Sequence, residues 1–342
     1  MSTLQVGLAV AGGVLLAGAI AWETWSARRR APRQPVPEQS GPDPREADGR
    51  VEPGFDSDLT PLGAAPDRRP RLDALIDVIA PIALDGREIS GDALLAALPA
   101  TRRVGSKPFA VEARNTASGE WEPPAPGQRY DAVQAGVQLA NRTGPLNEIE
   151  YSEFVMKAQH LADAVGGAPE FPDMLNEVAR ARELDEFAAT HDAQLSFTLR
   201  ASGPAWSAGF VHQQATRLGF VPGVIPGRMV LPADEPGLPP VLDLMFDPRA
   251  VLSDDPGLSA VTSLVLNLDV SQVPREAQPF SRLRDAAFAL ANAMEGEITD
   301  DTGQPLTGSA IDKIGQDLAQ LYDTLEQHDL AAGSAQARRL FS

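Results

Sequence analysis

The four histidines of this chain could in principle support metal binding or acid–base catalysis. They are His160, His191, His212 and His328, and no two of them stand at the spacing that metal ligands take on one helix or hairpin. A histidine at such an isolated position is more often a solvated or helix-side residue than a ligand. We therefore expect no metal site.

Two adjacent carboxylate pairs, Asp254-Asp255 and Asp300-Asp301, could also carry acid–base chemistry. Each pair lies next to Pro or Gly, and Asp favours such turns for conformational reasons alone. Neither segment has the oxygen-ligand pattern of a calcium loop. The chain contains no cysteine and no phosphate-binding, dinucleotide-binding or nucleophile-elbow motif. These observations predict a protein that is not an enzyme and needs no cofactor.

Length and charge limit the remaining classes of function. The chain has 342 residues, with 47 acidic and 29 basic side chains and a formal net charge of −18. Binding to nucleic acid needs clustered Lys and Arg, so we expect no nucleic-acid partner. Domains usually contain about 100–200 residues, which leaves room for two of them.

A weak internal repeat supports a two-domain chain. Residues 153–167 and 282–296 are both rich in small and apolar residues at helical spacing, and each segment ends in Gly. We expect that Gly to end the helix in a left-handed conformation. Five pairs that lie 129 positions apart are identical, namely Ala158/Ala287, Leu161/Leu290, Ala162/Ala291, Ala164/Ala293 and Gly167/Gly296. Two copies of one unit indicate two related domains.

The N-terminus has the pattern of a membrane anchor over residues 1–25. Leu4 to Trp22 contain a single polar side chain, and a helix of that length just crosses a hydrocarbon core of about 30 Å. A cleaved signal peptide is the alternative, but its basic leading region is missing before Leu4. Basic residues follow the span, which places the rest of the chain inside. The predicted anchor side chains are Leu4, Leu8, Val14, Leu16, Trp22, Arg28, Arg29 and Arg30.

Residues 26–70 combine this basic cluster with a Pro-rich segment. The part from 31 to 70 holds nine prolines among polar and charged residues and has few aliphatic side chains. Such a composition cannot bury enough apolar surface to offset the entropy of ordering, so it predicts a disordered linker. We expect the linker to act as a tether for the domains that follow.

The rest of the chain predicts two α+β domains, 71–190 and 191–331, and a loose tail over 332–342. In the first domain, Val133, Ala135, Val137 and Leu139 alternate as in a half-buried strand. In the second, Leu195, Phe197 and Leu199 alternate in the same way. The segments expected to be strands or helices of the second domain are Arg228–Leu231, Val241–Phe246, Leu264–Val270, Ser207–Leu218, 282–294 and the last helix containing Ile311 to Leu325.

Four segments and their order resemble a known family. They are Glu88–Leu95 and Lys157–Gly167 in the first domain, and Leu242–Pro248 and Leu264–Val270 in the second. The first two look like the first helix of the ZipA family and its helix ending in Gly-Gly, and the other two look like two of its strands. Members of this family anchor the bacterial division protein FtsZ to the inner membrane. A short outer end, one span, a basic cluster and a Pro-rich tether also match the layout of the family.

The resemblance implies two tandem split β-α-β domains, each an antiparallel sheet with helices on one face. The other face would be a shallow apolar groove that takes the C-terminal tail of FtsZ. Asp243 and Asn267 are more polar than the residues that line this groove in the family. By the alternation of the strands, the partner-binding face of the second domain should carry Ser196, Thr198, Met229, Asp243, Met245, Val265, Asn267 and Asp269. Residues facing the helices should be Leu195, Phe197, Leu199, Leu242, Leu244, Phe246, Leu264, Leu266 and Leu268. The corresponding face of the first domain should carry Gly136, Gln138 and Ala140.

The expected function is therefore a membrane-tethered adaptor of cell division with FtsZ and the inner membrane as partners. Its domains would lie in the cytoplasm at the division site, and its N-terminus in the periplasm. The alternative is a membrane-anchored scaffold of the same descent that binds another cytoplasmic partner. The sequence leaves open which domain binds, whether the two domains pack together, and how many copies associate.

Overall fold

A computed structural model describes residues 71–252, 260–300 and 303–342 of the chain. These residues form two units. The first unit contains residues 71–193, Val270–Arg275 and Leu318–Ser342. The second contains the described parts of Gln194–Asp269 and Glu276–Asp317. Both units combine helices with antiparallel sheets, which confirms the predicted α+β class. The predicted membrane helix and linker lie outside the described residues.

The first unit is built on a seven-stranded antiparallel sheet with the central order β3-β4-β6-β1-β9, while β2 pairs with β6 and β5 with β4. A separate two-stranded hairpin, β7-β8, follows β6 in the chain. The strands are β1 (Asp77–Ala83), β2 (Ile89–Ser90), β3 (Arg103–Val104), β4 (Lys107–Asn115), β5 (Trp121–Glu122), β6 (Arg129–Gln138), β7 (Ala140–Asn141), β8 (Gly144–Pro145) and β9 (Ala168–Pro169).

Helices cover one face of this sheet. The helices are α1 (Gly91–Ala97), α2 (Glu148–Val165) and α3 (Met174–His191). Helix α2 begins at a capping box, because the Asn147 side chain accepts from the Glu150 backbone N–H while Glu150 accepts from that of Asn147. It ends at Gly166 in the left-handed conformation. Its apolar stripe joins the strand residues in one buried core, where the rings of Phe109 and Phe154 lie 6.2 Å apart.

The second unit has a six-stranded antiparallel sheet in the order β11-β12-β13-β14-β10-β15. Its strands are β10 (Gln194–Ala201), β11 (Val221–Pro222), β12 (Arg228–Leu231), β13 (Leu242–Phe246), β14 (Ser263–Asp269) and β15 (Gly296–Thr299). The helices are α4 (Ala208–Arg217), α5 (Arg249–Leu252), α6 (Pro279–Met294) and α7 (Gly308–Gln327), of which the last enters the first unit from Leu318 onward.

Helix α6 packs on β10, β14 and β15. Its buried side chains recur three and four residues apart, as a helix with one apolar face requires. The strands supply the other half of this core. Trp206, which is fully buried, donates its indole N–H to the Met294 carbonyl oxygen at 2.8 Å and so fixes the end of the helix.

The two sheets share one order of strands. Starting from the strand after the long helix, the order is β9-β1-β6-β4 in the first unit and β15-β10-β14-β13 in the second. The long helices α2 and α6 also end at matching positions of the sequence repeat, Gly166 and Glu295, both with positive φ. A glycine stop is therefore present in α2, one residue before Gly167, the last Gly of the repeat. It is absent from α6, because there Glu295 takes the left-handed conformation and Gly296 already begins β15.

The C-terminal residues differ from the loose tail expected over 332–342. They form helix α8 (Ala335–Leu340), in which Ser334 accepts from the Ala337 backbone N–H. Leu340 and Phe341 are buried, and the segment belongs to the first unit together with Leu318–Gln327. Two consecutive large apolar side chains are enough to hold this segment beside the β7-β8 hairpin, and the polar composition around them does not indicate it.

Candidate functional site

The sheet of the second unit has one face buried under helices and one face open. Along β10, β13 and β14, buried leucine and phenylalanine side chains alternate with exposed or half-buried ones. The alternation follows from the period of two in a strand. We call the second set, on the side away from α6, the open face of the second unit.

The strand register arranges the open face in two rows. One row crosses five strands as Val221, Val230, Asp243, Asn267 and Ser196. The neighbouring row crosses four strands as Arg228, Met245, Val265 and Thr198, and beyond it Thr299 of β15 is buried. These rows bring residues from distant parts of the chain side by side, within reach of one extended or helical partner segment.

Seven of the eight predicted face residues lie on this face: Ser196, Thr198, Asp243, Met245, Val265, Asn267 and Asp269. The exception is Met229. It is fully buried and pairs with Leu244, whose side chain points into the core. The prediction for Met229 is therefore wrong, because the pairing of β12 with β13 places it on the helix side.

On this side of the sheet, the open face carries Arg228, Val230 and Val221 instead of Met229. The sequence does not identify them, since β12 has four residues and its two central ones, Met229 and Val230, are both apolar. A strand that short has no clear alternation of its own. Its orientation comes from the hydrogen-bonded partner strand, which a one-residue slip would reverse.

Two polar contacts organise the middle of the open face. Arg228 donates to Asp243 Oδ1 from Nε at 2.9 Å and from Nη2 at 2.7 Å. Ser196 donates its hydroxyl to Asn267 Oδ1 at 2.7 Å. About a third of each side chain in the Arg228–Asp243 pair is exposed, so the pair is accessible to a partner without being fully solvated. The unexpected polarity of Asp243 and Asn267 is thus partly satisfied within the sheet.

Apolar side chains cross the face from β11 to β14. We call Val221, Val230, Met245 and Val265 the apolar strip. Val221 is 45% and Met245 44% exposed, while Val230 and Val265 are half-buried. In the turn between β11 and β12, Val224 and Ile225 are also exposed. Exposed large apolar residues gathered at one place are typical of a protein-binding surface.

Gly227 holds this turn in position. Its φ is +76°, which disfavours any residue with a Cβ, and a Cβ there would lie 2.5 Å from the Phe246 carbonyl oxygen. The carbonyl oxygen of Gly227 accepts the backbone N–H of Phe246 at 2.9 Å. The close approach of the two backbones fixes the start of β12 beside β13 and hence the position of Arg228.

On the first unit, Gly136 and Gln138 lie on the sheet face away from α2, as predicted. Ala140 does not, because it belongs to the β7-β8 hairpin and is buried there. This face is not open. Leu72 packs over Gly136, and Gln138 donates to the Arg339 carbonyl oxygen at 2.8 Å.

Among the described residues, His191 and His328 both lie against the ring of Phe187, with ring centroids 4.2 and 4.4 Å from it, but no third potential metal ligand joins them. Nδ1 of His191 and of His328 lies within hydrogen-bond distance of a carbonyl oxygen one turn earlier in its own helix. His212 packs edge-on against Phe246, and burial lowers its pKa. Asp300 accepts the Gln304 backbone N–H as a turn residue does, whereas Asp254-Asp255 and Asp301 lie outside the described residues. Among residues 71–252, 260–300 and 303–342 there is no group of three or more potential metal ligands.

The membrane anchor predicted from Leu4 to Arg30 lies outside the described residues. In the part of the chain that the structure describes, no helix has the length and hydropathy needed to span a bilayer.

Comparison with protein families gives one match. Residues 253–317 match the family described as ZipA, C-terminal FtsZ-binding domain. The matched segment includes β14, α6 and β15 and therefore supplies part of the open face and the helix behind it. The match confirms the resemblance to the ZipA family over these residues, which contain one of its four segments, Leu264–Val270. No curated protein matches the chain.

Proposed function

We propose that this chain is a membrane-tethered adaptor of bacterial cell division that binds the C-terminal tail of FtsZ through the open face of the second unit. The observation that carries the proposal is the exposed apolar strip on a helix-backed sheet that includes the segment matched to an FtsZ-binding domain. The matched family is a binding domain and not an enzyme. Recognition by such a face needs no cofactor and no metal.

The proposed binding mode follows from the shape of the face. A short partner segment lies across the rows, and its apolar side chains contact Met245, Val221 and Val265. Methionine adapts its flexible side chain to irregular partners. The Arg228–Asp243 pair lies among the residues of the strip and Ser196 lies beside it, and both bind polar groups of the segment. The contact is small, so a single segment binds weakly.

The N-terminal residues complete the proposal. A span from Leu4 to Trp22 with Arg28, Arg29 and Arg30 behind it would anchor the chain in the inner membrane with the N-terminus in the periplasm. The Pro-rich residues 31–70 would hold the two units in the cytoplasm at a distance from the lipid. A polymer of FtsZ presents many tails, so weak individual contacts add up to firm attachment at the division site.

We also propose that the two units descend from one duplicated domain. The sequence repeat and the common strand order β9-β1-β6-β4 and β15-β10-β14-β13 support this. Duplication would account for a second sheet of the same design in a chain that needs one binding face.

The second candidate is a membrane-anchored scaffold that binds another cytoplasmic partner. Asp243 and Asn267 at central positions of the open face favour it, because an apolar tail gains less from a face with an ion pair in it. A partner with a charged or amide group opposite these residues would gain more.

Binding of a labelled FtsZ C-terminal tail peptide to the full chain, measured by fluorescence anisotropy, tests the proposal. Met245→Glu places a carboxylate in the apolar strip and should weaken binding about tenfold to hundredfold, which corresponds to about 1.4–2.7 kcal/mol. Met156→Glu is the matched control, because Met156 is an exposed methionine of the first unit, on α2. Loss of binding in Met245→Glu alone supports the proposal. Equal binding by wild type and Met245→Glu excludes the open face as the site, and a wild-type chain that does not bind the peptide supports the second candidate.

A further inference from the structure

The first unit has a sheet face that corresponds to the open face of the second. It is the side of β4, β6 and β1 turned away from α2. The register brings Asp77 opposite Gln138, and Gly136 between Ile79 and Ala110. Two segments from the ends of the first unit lie on this face, residues 71–73 and helix α8.

Residues 71–73 fill the centre of the face. A Cβ on Gly136 would lie 2.4 Å from a methyl carbon of Leu72, so the leucine packs directly on the glycine backbone. The Leu72 backbone N–H donates to Glu112 at 2.9 Å, and Gln134 donates to the other oxygen of the same carboxylate at 2.9 Å. The missing side chain of Gly136 thus makes room for an apolar side chain that comes from another segment.

Helix α8 occupies the neighbouring part of the face through Arg339. Its guanidinium donates to both carboxylate oxygens of Asp77, whose side chain is completely buried. Gln138 donates from its amide to the Arg339 carbonyl oxygen, and Gln336 donates to Asp73 at 2.8 Å. Burial raises the pKa of Asp77, and hydrogen bonding to Arg339 opposes that shift. A buried carboxylate requires a cation at this place.

The occupant does not fill the face completely. A groove of about 460 Å³ remains beside Arg339, bordered by Pro108, Ala110 and Glu112 of β4 and by Arg102 and Pro123. Helix α8 has six residues and is joined to the rest of the chain through Gly333, which has a φ of +76°. Besides the ion pair, Leu340 and Phe341 are buried, and Gln272 donates to the carbonyl oxygens of Arg338 and Phe341. A short helix held by two apolar anchors and one bidentate ion pair beside a partly empty groove is typical of a bound peptide ligand.

We propose that this face of the first unit is a peptide-binding face whose occupant is the C-terminal segment of the same chain. The ligand it selects is a short helical segment with an arginine that pairs with Asp77 and a carbonyl oxygen that reaches Gln138. The chain therefore offers its partners one open face and keeps the second closed in cis. The inference is independent of the identity of the partner of the second unit.

A labelled peptide of residues 331–342 tests this in trans on the full chain. A segment tethered in cis acts at an effective concentration of about 1 mM, so the wild-type chain should bind the peptide no tighter than about 1 mM. Arg339→Glu sets two carboxylates against each other and should release α8. This variant should bind the peptide at least about tenfold tighter than wild type, because the cis competitor is gone.

Two further variants make the test specific. The charge exchange Asp77→Arg with Arg339→Glu restores the pair and should bind the wild-type peptide as poorly as the unmodified chain does. Arg338→Glu is the matched control, since its guanidinium donates to the Gly333 carbonyl oxygen and not to Asp77. It should behave like wild type.

Hydrogen exchange of the same variants shows whether α8 behaves as a releasable ligand or as a part of the core. In Arg339→Glu the amides of residues 335–341 should lose protection while those of β4 and β6 keep it. Loss of protection throughout β6 would overturn the proposal, because α8 would then be an integral part of the fold. Equal peptide binding by wild type and Arg339→Glu would overturn it as well.

Discussion

The Arg228–Asp243 pair allows a quantitative prediction about the open face of the second unit. Each side chain is about one third exposed, and the pair lies between Val230 and Met245 in the strand register. In the free protein it contributes about 0.2–1 kcal/mol to stability, as partly exposed pairs do. Single replacements by leucine should therefore leave the fold intact.

Partner binding changes this balance. A segment that covers the apolar strip removes the remaining water from the pair. In Arg228→Leu the Asp243 carboxylate is covered without its cation, which costs about 1–3 kcal/mol, or roughly tenfold to a hundredfold in affinity. Arg228→Leu with Asp243→Leu removes the carboxylate too, so its affinity should return to within about threefold of wild type or exceed it. The coupling energy between the two positions should then be about 1–3 kcal/mol.

Anisotropy titrations of the FtsZ tail peptide against the wild type, both single variants and the double variant give this coupling energy. Thermal unfolding of each variant provides the control for stability. The reasoning is refuted if Arg228→Leu binds like wild type, or if the two single effects add up in the double variant. Either result would mean that the partner leaves this part of the face uncovered.

Two predictions concern residues that hold the two units in shape. Lys107 is buried, with its ammonium hydrogen-bonded to Asn141, Ser106 and the Gly144 carbonyl oxygen, so Lys107→Met should lower the free energy of unfolding by about 1–3 kcal/mol. Burial lowers the pKa of Lys107 below its ordinary 10.5. The unfolded chain therefore binds more protons in the window between the two values. Wild-type stability should rise with pH through that window, and urea titrations should show that Lys107→Met lacks the rise. Gly227→Ala should destabilise the second unit by about 2–4 kcal/mol, from left-handed strain plus the contact with the Phe246 carbonyl oxygen. Gly119→Ala, with a φ of +74° and no atom within 4 Å of its Cβ, should cost only about 1–2 kcal/mol in the same assay.

The sequence alone was sufficient to predict most residues of the open face, because the direction of each side chain along a strand depends on local alternation. β10 and β14 have seven or more residues with strict alternation, so the direction of each side chain follows from the period of two. The same holds for the C-terminal end of α2, where Gly166 specifies the cap, whereas the capping box of Asn147 and Glu150 is also local but was not among the predictions. These predictions depend on neighbours in sequence and not on the rest of the fold.

The register of short strands and the destination of the C-terminus depend on distant residues. β12 carries two adjacent apolar residues, and only hydrogen bonding to β13 decides that Met229 is buried and that Val230 and Arg228 reach the open face. Arg339 meets Asp77 across more than 260 positions of chain. The sequence pattern around either residue shows nothing of this, because a buried ion pair has no local periodicity. Local periodicity thus determined which faces the strands present, and long-range pairing decided which residues share a face and which face stays open.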